Sequence, residues 1–232
     1  MDKKSIIYHG SKNIIKNPVF GVGNPYNDYG LGFYCTHDIE LANEWACSEE
    51  SGGYANKYEL VWDSLSIMNL SGTEYNVLNW LAILLNNRVF RVANDIASAG
   101  RRFLLERFLP DTSNCDVIIG YRADDSYFSF ANAFINNTIS LAQLEKALYL
   151  GDLGEQTMIK TEVAFSNLHF LDSFAAPRDI YYPKKIARDK AARTAYRTES
   201  ELKQITDAIY LMDILRERWE NDDLRLRRNI PG

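Results

Sequence analysis

The residues that could do chemistry in this chain sit in three short words. The run Asn27 to Thr36, NDYGLGFYCT, sets Gly30 and Gly32 among Tyr29, Phe33 and Tyr34. Glycine lets a backbone turn or come close to something, and aromatic side chains offer flat faces on which a ring can lie, so this composition raises the question of a planar ligand. His9 stands at the end of the run Ser5 to His9, directly before Gly10 and Ser11. In the third word, YRADDSYF, Arg122 precedes Asp124 and Asp125. Paired carboxylates raise metal or acid-base chemistry, but neighbouring side chains diverge and no third ligand has suitable spacing. An ion pair capping the next helix is the expectation, and no metal.

The cysteines add little chemistry. Cys35, Cys47 and Cys115 lie far apart, without metal-like spacing. Cys35 has His37 two residues on, but no base fixed beside it by sequence. All three read as small buried hydrophobes.

The elements that must position these words are short and scattered. Ser5 to His9 reads as a strand that ends where Gly10 begins a turn. Thr36 or Asp38 can cap a helix carrying Leu41, Ala42, Trp45 and Ala46 at helical spacing. Asn56 to Trp62 is a strand. Ser71 and Glu74 make a capping box for a helix through Leu85, and further helix runs from Arg88 towards Phe108, stopped by Pro110. Cys115 to Tyr121, CDVIIGY, has the continuous apolar character of a buried strand. A helix through Ile135 follows, then one opened by Ser140 and Gln143 and ending near Gly151. Gln156 to Phe165 alternates like a half-exposed strand, and 177–183 is a connector bounded by prolines. Beyond it Leu202, Ile205, Ile209, Met212, Leu215 and Trp219 are spaced as one apolar stripe, expected to pack within the chain or, failing that, against a partner.

Strands separated by helices of unequal length, with no glycine-rich strand-to-helix loop, point to an α+β fold rather than a doubly wound sheet. The chain's 232 residues and 46% hydrophobic content fit one domain with an extension, divided as 1–176 and 177–232. A net charge of -5 makes no global case for nucleic acid or an acidic membrane, although RLRR at 225–228 is locally basic. The apolar run Val77 to Leu85 is about half the length of a bilayer span, the amino-terminal apolar run is too short for a signal peptide and stops at His9, and the odd cysteine count opposes a disulfide framework. A cytoplasmic protein without a membrane partner is expected.

The words YHGS (8–11), DYGLGFYCT (28–36), ANEWA (42–46), YRADDSYF (121–128) and EQTMIKTEVAF (155–165), in that order, resemble the ADP-ribosyltransferase superfamily. The likeness is to the branch of the poly(ADP-ribose) polymerases and diphtheria toxin, whose motif order is His, Tyr, then Glu or Gln. It extends over about residues 5–172 and is nearest to small bacterial proteins discussed as toxins of toxin-antitoxin pairs. The resemblance implies a split β-sheet core with inserted helices, NAD as co-substrate, a macromolecular acceptor and an antitoxin as partner. It also implies roles: His9 for a ribose hydroxyl of NAD, Gly10 for the nicotinamide carboxamide, and Tyr34 as the face on which nicotinamide stacks. Ser11, Gly32 and Phe33 would line the nicotinamide end. Arg122, Asp125 and Tyr127 would border the cleft towards the acceptor or the adenine.

The third motif position falls at Glu155 or Gln156. Neighbouring strand residues face opposite ways, and Glu155 shares its parity with the apolar Ile159 and Val163, so Gln156 is assigned to the cleft. An amide there forgoes the charge that steadies an oxocarbenium-like sugar, worth about 4 kcal/mol for a unit charge at ~4 Å and an effective dielectric near ~20. The expected activity is therefore mono-ADP-ribosyl transfer, with NAD glycohydrolysis or a catalytically silent binding module as alternatives.

Overall fold

The computed structural model of the protein describes residues 3–90, 94–123, 125–148, 154–202 and 208–226, and within these not the side chains of 125–127 and 195–202. Its described elements run β1 (Lys4–Ser11), β2 (Phe33–Cys35), α1 (Ile39–Ala46), β3 (Gly53–Val61), β4 (Ile67–Asn69), α2 (Val77–Asn87) and α3 (Asp95–Arg107). They continue with β5 (Val117–Tyr121), α4 (Asp125–Ile135), α5 (Leu141–Ala147), β6 (Glu155–Ile159), α6 (Glu162–Ser166), β7 (Leu168–Ala176), α7 (Arg178–Leu202) and α8 (Leu211–Glu217). The fold is α+β, as the sequence indicates.

Two sheets carry it. One has the order β1-β3-β7, antiparallel throughout; the other has β2-β6-β5-β4, with β4 parallel to β5. Tyr8 and Thr36 exchange backbone hydrogen bonds at 2.7 and 2.9 Å, so the second half of β1 and the end of β2 meet where the sheets adjoin. Ile7, Tyr58, Leu60 and Leu168 from the first sheet close on Cys35, Val117 and Ile159 from the second in one buried cluster. Burial of this kind contributes roughly 2 kcal/mol per large side chain, and it fixes the two sheets as a frame.

A larger cluster lies around α2, where every residue from Val77 to Leu85 is buried. A helix apolar on all faces must be enclosed on all faces. Here α3, α4, α5 and α8 contribute buried residues to the same cluster. None of the described helices is long and apolar enough to cross a membrane.

Several local expectations are corrected. The capping box of α2 is Asn76 with Asn79, not Ser71 with Glu74: Asn76 accepts from Leu78 N at 2.9 Å, and Asn79 accepts from Asn76 N at 2.8 Å. An asparagine amide at the third helical position does here what glutamate or glutamine usually does. α3 starts at Asp95 behind the Asn94 cap, while Arg88 ends α2. The box of Ser140 and Gln143 is formed as expected, but α5 stops at Ala147, and Gly151 lies outside the described residues.

The alternating run from Gln156 is a strand only to Ile159, and it is buried rather than half exposed. The hydroxyl of Thr161 then accepts from Ala164 N at 3.3 Å and opens α6. Residues 178–183 are helix rather than connector, with Pro183 inside α7. The apolar stripe is not one helix: α7 ends at Leu202, Ile205 lies outside the described residues, and Ile209 precedes α8. Leu211, Ile214 and Trp219 are buried in the α2 cluster, with Leu215 packed against it, whereas Met212 faces solvent. Among the described residues, most of this stripe is thus satisfied within the chain.

Candidate functional site

Between the two sheets, α1 and α7 lies a cavity of about 770 Å³. His9, Gly10, Gly32, Phe33, Tyr34, Arg122 and Gln156, all singled out from sequence, line it. Ser11 and Glu155 do not. Ser11 turns its hydroxyl to Asn13 O at 2.5 Å, and Glu155 is exposed at the outer end of β6. The side chains of Asp125 and Tyr127, like Asp124 altogether, lie outside the described residues.

His9 owes its place to β1. Its Nδ1 is 2.6 Å from Tyr34 O, and a carbonyl can only accept, so Nδ1 carries the proton and Nε2 keeps its lone pair. The ring lies on Phe33 with centroids 4.1 Å apart and 26° between planes. Burial lowers the pKa of this imidazole from 6.5, outweighing the smaller opposite effect of the bond to Tyr34. A neutral ring with one bare nitrogen accepts from a hydroxyl.

That shift makes a pH prediction. The folded imidazole resists protonation while the unfolded one takes up a proton near 6.5, so the unfolded state binds more protons in the window just below that value. Stability is full above 6.5 and falls as pH drops towards the lower folded value. Melting curves from pH 7.5 to 5.5 should show the wild type losing more stability than His9→Gln; equal slopes would refute it.

Tyr34 is fixed through its hydroxyl. It donates to Gly30 O at 2.6 Å and receives Tyr29 N at 3.1 Å. Burial first, then the charge of Asp28, push the phenol far above its ordinary range, so it remains a neutral donor. The loop that receives it turns at Gly30, whose φ of 88° is where glycine is at home. This is one structural use of the glycines in the opening run.

The loop after β1 is organised by a residue that sequence reading passed over. Asn56, fully buried in β3, accepts from Ile15 N at 2.9 Å and donates towards Ser11 Oγ, His9 O and Asn13 O at 3.1, 3.2 and 3.3 Å. Its amide gathers the chain ends around His9.

Other polar groups of the site were likewise missed. Asp28, 7% exposed, accepts from Arg88 at 3.0 Å and from Ala123 N and Gln156 Nε2, each at 2.8 Å. Glu44, on α1 in the quoted ANEWA, is 3% exposed and receives Arg188 of α7 at 2.9 and 3.0 Å. This two-pronged ion pair brings α7 to the cavity, where Lys185, Ile186, Asp189 and Arg193 complete the wall. Arg122 lies over Trp45, 4.3 Å from its centroid. Asp28 and Glu44 stood inside the quoted words, but their partners lie 60 and 144 positions away, and nothing local announces them.

The three cysteines are buried and free, and burial is the first cause raising each thiol's pKa. A thiolate nucleophile is disfavoured at all of them. Among the described residues, no group of three or more His, Cys, Asp or Glu side chains could hold a metal ion.

Chemically, the cavity combines aromatic faces, one neutral imidazole, one amide and a wall in which basic side chains outnumber acidic ones. That lining suits a ligand with a planar ring and negative charge. No curated protein and no solved structure matches the chain. A family model described as protein of unknown function (DUF3990) matches residues 5–170, and the chain belongs to that family.

Proposed function

We propose that the protein is an NAD-dependent mono-ADP-ribosyltransferase. The observation that carries the reading is that His9, Tyr34 and Gln156, drawn from β1, β2 and β6, face one cavity. Nicotinamide would lie against Tyr34 and a ribose hydroxyl would donate to His9 Nε2. The pyrophosphate would take the basic wall that Arg122 and α7 provide. In the reaction the bond from nicotinamide to ribose C1′ breaks, and nicotinamide leaves as a neutral molecule with the bonding pair. A nucleophilic atom of the acceptor bonds to C1′ and gives up its proton. The resemblance adds a macromolecular acceptor and a toxin role held in check by an antitoxin.

Gln156 favours a second reading. With an amide where a carboxylate would steady the sugar cation, hydrolysis, or binding without turnover, becomes a competitor. One experiment separates them. Incubation with NAD labelled on the adenylate side in a cell lysate should release nicotinamide and leave label on a macromolecule, which protease and nuclease digestion then sort. Release without macromolecular label would establish the glycohydrolase. No release, with melting unmoved by millimolar NAD, would remove the function altogether, because a ligand that binds only the folded state raises its stability.

A further inference from the structure

Asp28 is almost sealed at the back of the cavity yet belongs to its lining. Its Oδ2 accepts from Ala123 N and from Gln156 Nε2, and its Oδ1 accepts from Arg88 Nη1, which also donates to Ala123 O at 2.6 Å. Arg88 is itself anchored, its guanidinium 4.4 Å from the Phe128 centroid. The carboxylate therefore has a fixed place and direction.

The chemistry of that contact decides which end of the neighbouring amide faces the ligand. A carboxylate oxygen accepts hydrogen bonds and cannot donate them to an amide oxygen. Gln156 must turn its NH2 inward, where Nε2 donates to Asp28 Oδ2 at 2.8 Å and to Tyr121 O at 3.5 Å, with the Tyr29 hydroxyl also interacting with this side chain. The carbonyl oxygen Oε1 is the end left for the cavity. Asp28 is the closer and the charged one of the two acceptors behind the amide; with only Tyr121 O left, at 3.5 Å, the amide could turn over and offer NH2, which repels a developing cation and cannot accept from a hydroxyl.

We infer that Asp28 is a positioning residue, which locks Gln156 as a hydrogen-bond acceptor for a ribose hydroxyl and polarises its carbonyl in the place where a glutamate would otherwise stand. The inference rests on the ADP-ribosyltransferase reading, since it takes the ligand at this point to be a ribosyl group. It extends that reading by assigning the sugar-facing polarity of the site to a pair rather than to one side chain.

The test compares binding of a non-hydrolysable carbocyclic NAD with its analogue lacking the 2′-hydroxyl of the corresponding ring, by calorimetry, alongside turnover of NAD. Wild type should prefer the hydroxylated compound by roughly 10- to 100-fold, the usual cost of leaving a buried acceptor unpaired. Asp28→Leu should bring that ratio close to one. Asp28→Asn/Gln156→Glu should restore it, because a carboxylate accepts in either orientation and needs no partner to set it. Gln156→Glu alone should melt lower than wild type, since it sets two carboxylates against each other.

A scaffold defect in Asp28→Leu would lower both affinities together and leave the ratio intact, and an intact ratio overturns the inference. Absence of any preference in wild type overturns it too, as does failure of the double variant to restore the ratio. A wild type that discriminates but does not turn over NAD would remove the transferase while leaving Asp28 in its role.

Discussion

His9→Ala should reduce nicotinamide release from NAD by on the order of 100-fold or more while the protein stays folded. The imidazole has several tasks at one point in the cavity. It ties β1 to β2 through Nδ1 and Tyr34 O, it covers one face of Phe33, and on the proposed function it would offer Nε2 to the ligand. Alanine removes the ligand contact and loosens the strand that carries Tyr34, so orientation suffers as well as binding. His9→Gln is the informative companion. It keeps a polar side chain of moderate length but cannot reproduce the ring stack, and it should recover only a small part of the loss. Release rates at saturating NAD, with melting temperatures measured in parallel, decide the matter. An alanine variant within about twofold of wild type would show that the imidazole has no part in turnover.

Gly10→Val should destabilise the protein strongly. A Cβ placed on Gly10 would lie 2.0 Å from Ala42 O and 2.8 Å from Ala46 N, both backbone atoms of α1. Backbone cannot swing aside as a flexible side chain can, so the whole helix would have to retreat from β1. That retreat would open the contact that holds Glu44, and with it Arg188 and α7. Overpacking of this kind costs about 3 kcal/mol or more, which for a chain of this size lowers the melting temperature by roughly 6 to 12 °C. Gly21→Asn makes a fair control. Gly21 has a φ of 76° and nothing within 4 Å of its would-be Cβ, so asparagine should be tolerated there. If Gly10→Val melts within about 2 °C of wild type, the close approach of β1 and α1 is wrong.

What the sequence disclosed follows from how local each signal is. Ser140 and Gln143 satisfy each other's backbone across three positions, so their capping box was legible and is formed. Asn76 and Asn79 perform the same exchange, but asparagine is not the residue usually sought at the second position. The alternation that marks β6 continues past its end because Thr161 keeps the pattern while its hydroxyl caps a helix. Pro183 looked like a boundary, since proline lacks an amide to donate, yet α7 begins ahead of it and passes through.

The site divides in the same way. His9 and Tyr34 could be picked out only because the words around them resemble a known superfamily, and Gln156 because the same resemblance led to a strand start at which parity can be counted. Asp28, Arg88, Glu44, Arg188 and Asn56 act through partners far along the chain. Their importance lies in pairing across the fold, which no spacing rule encodes. The groups proposed to meet a ligand were the more readable half, and the buried groups that pair across the fold were the less readable.

The matched family segment stops at residue 170, whereas part of the cavity wall comes from α7, which starts at Arg178. The proposed reacting centre therefore lies within the family segment, while part of its rim lies beyond it. A relative that shares the first but carries a different helix in place of the second would hold the same tools behind another doorway, free to change its clientele without altering its craft.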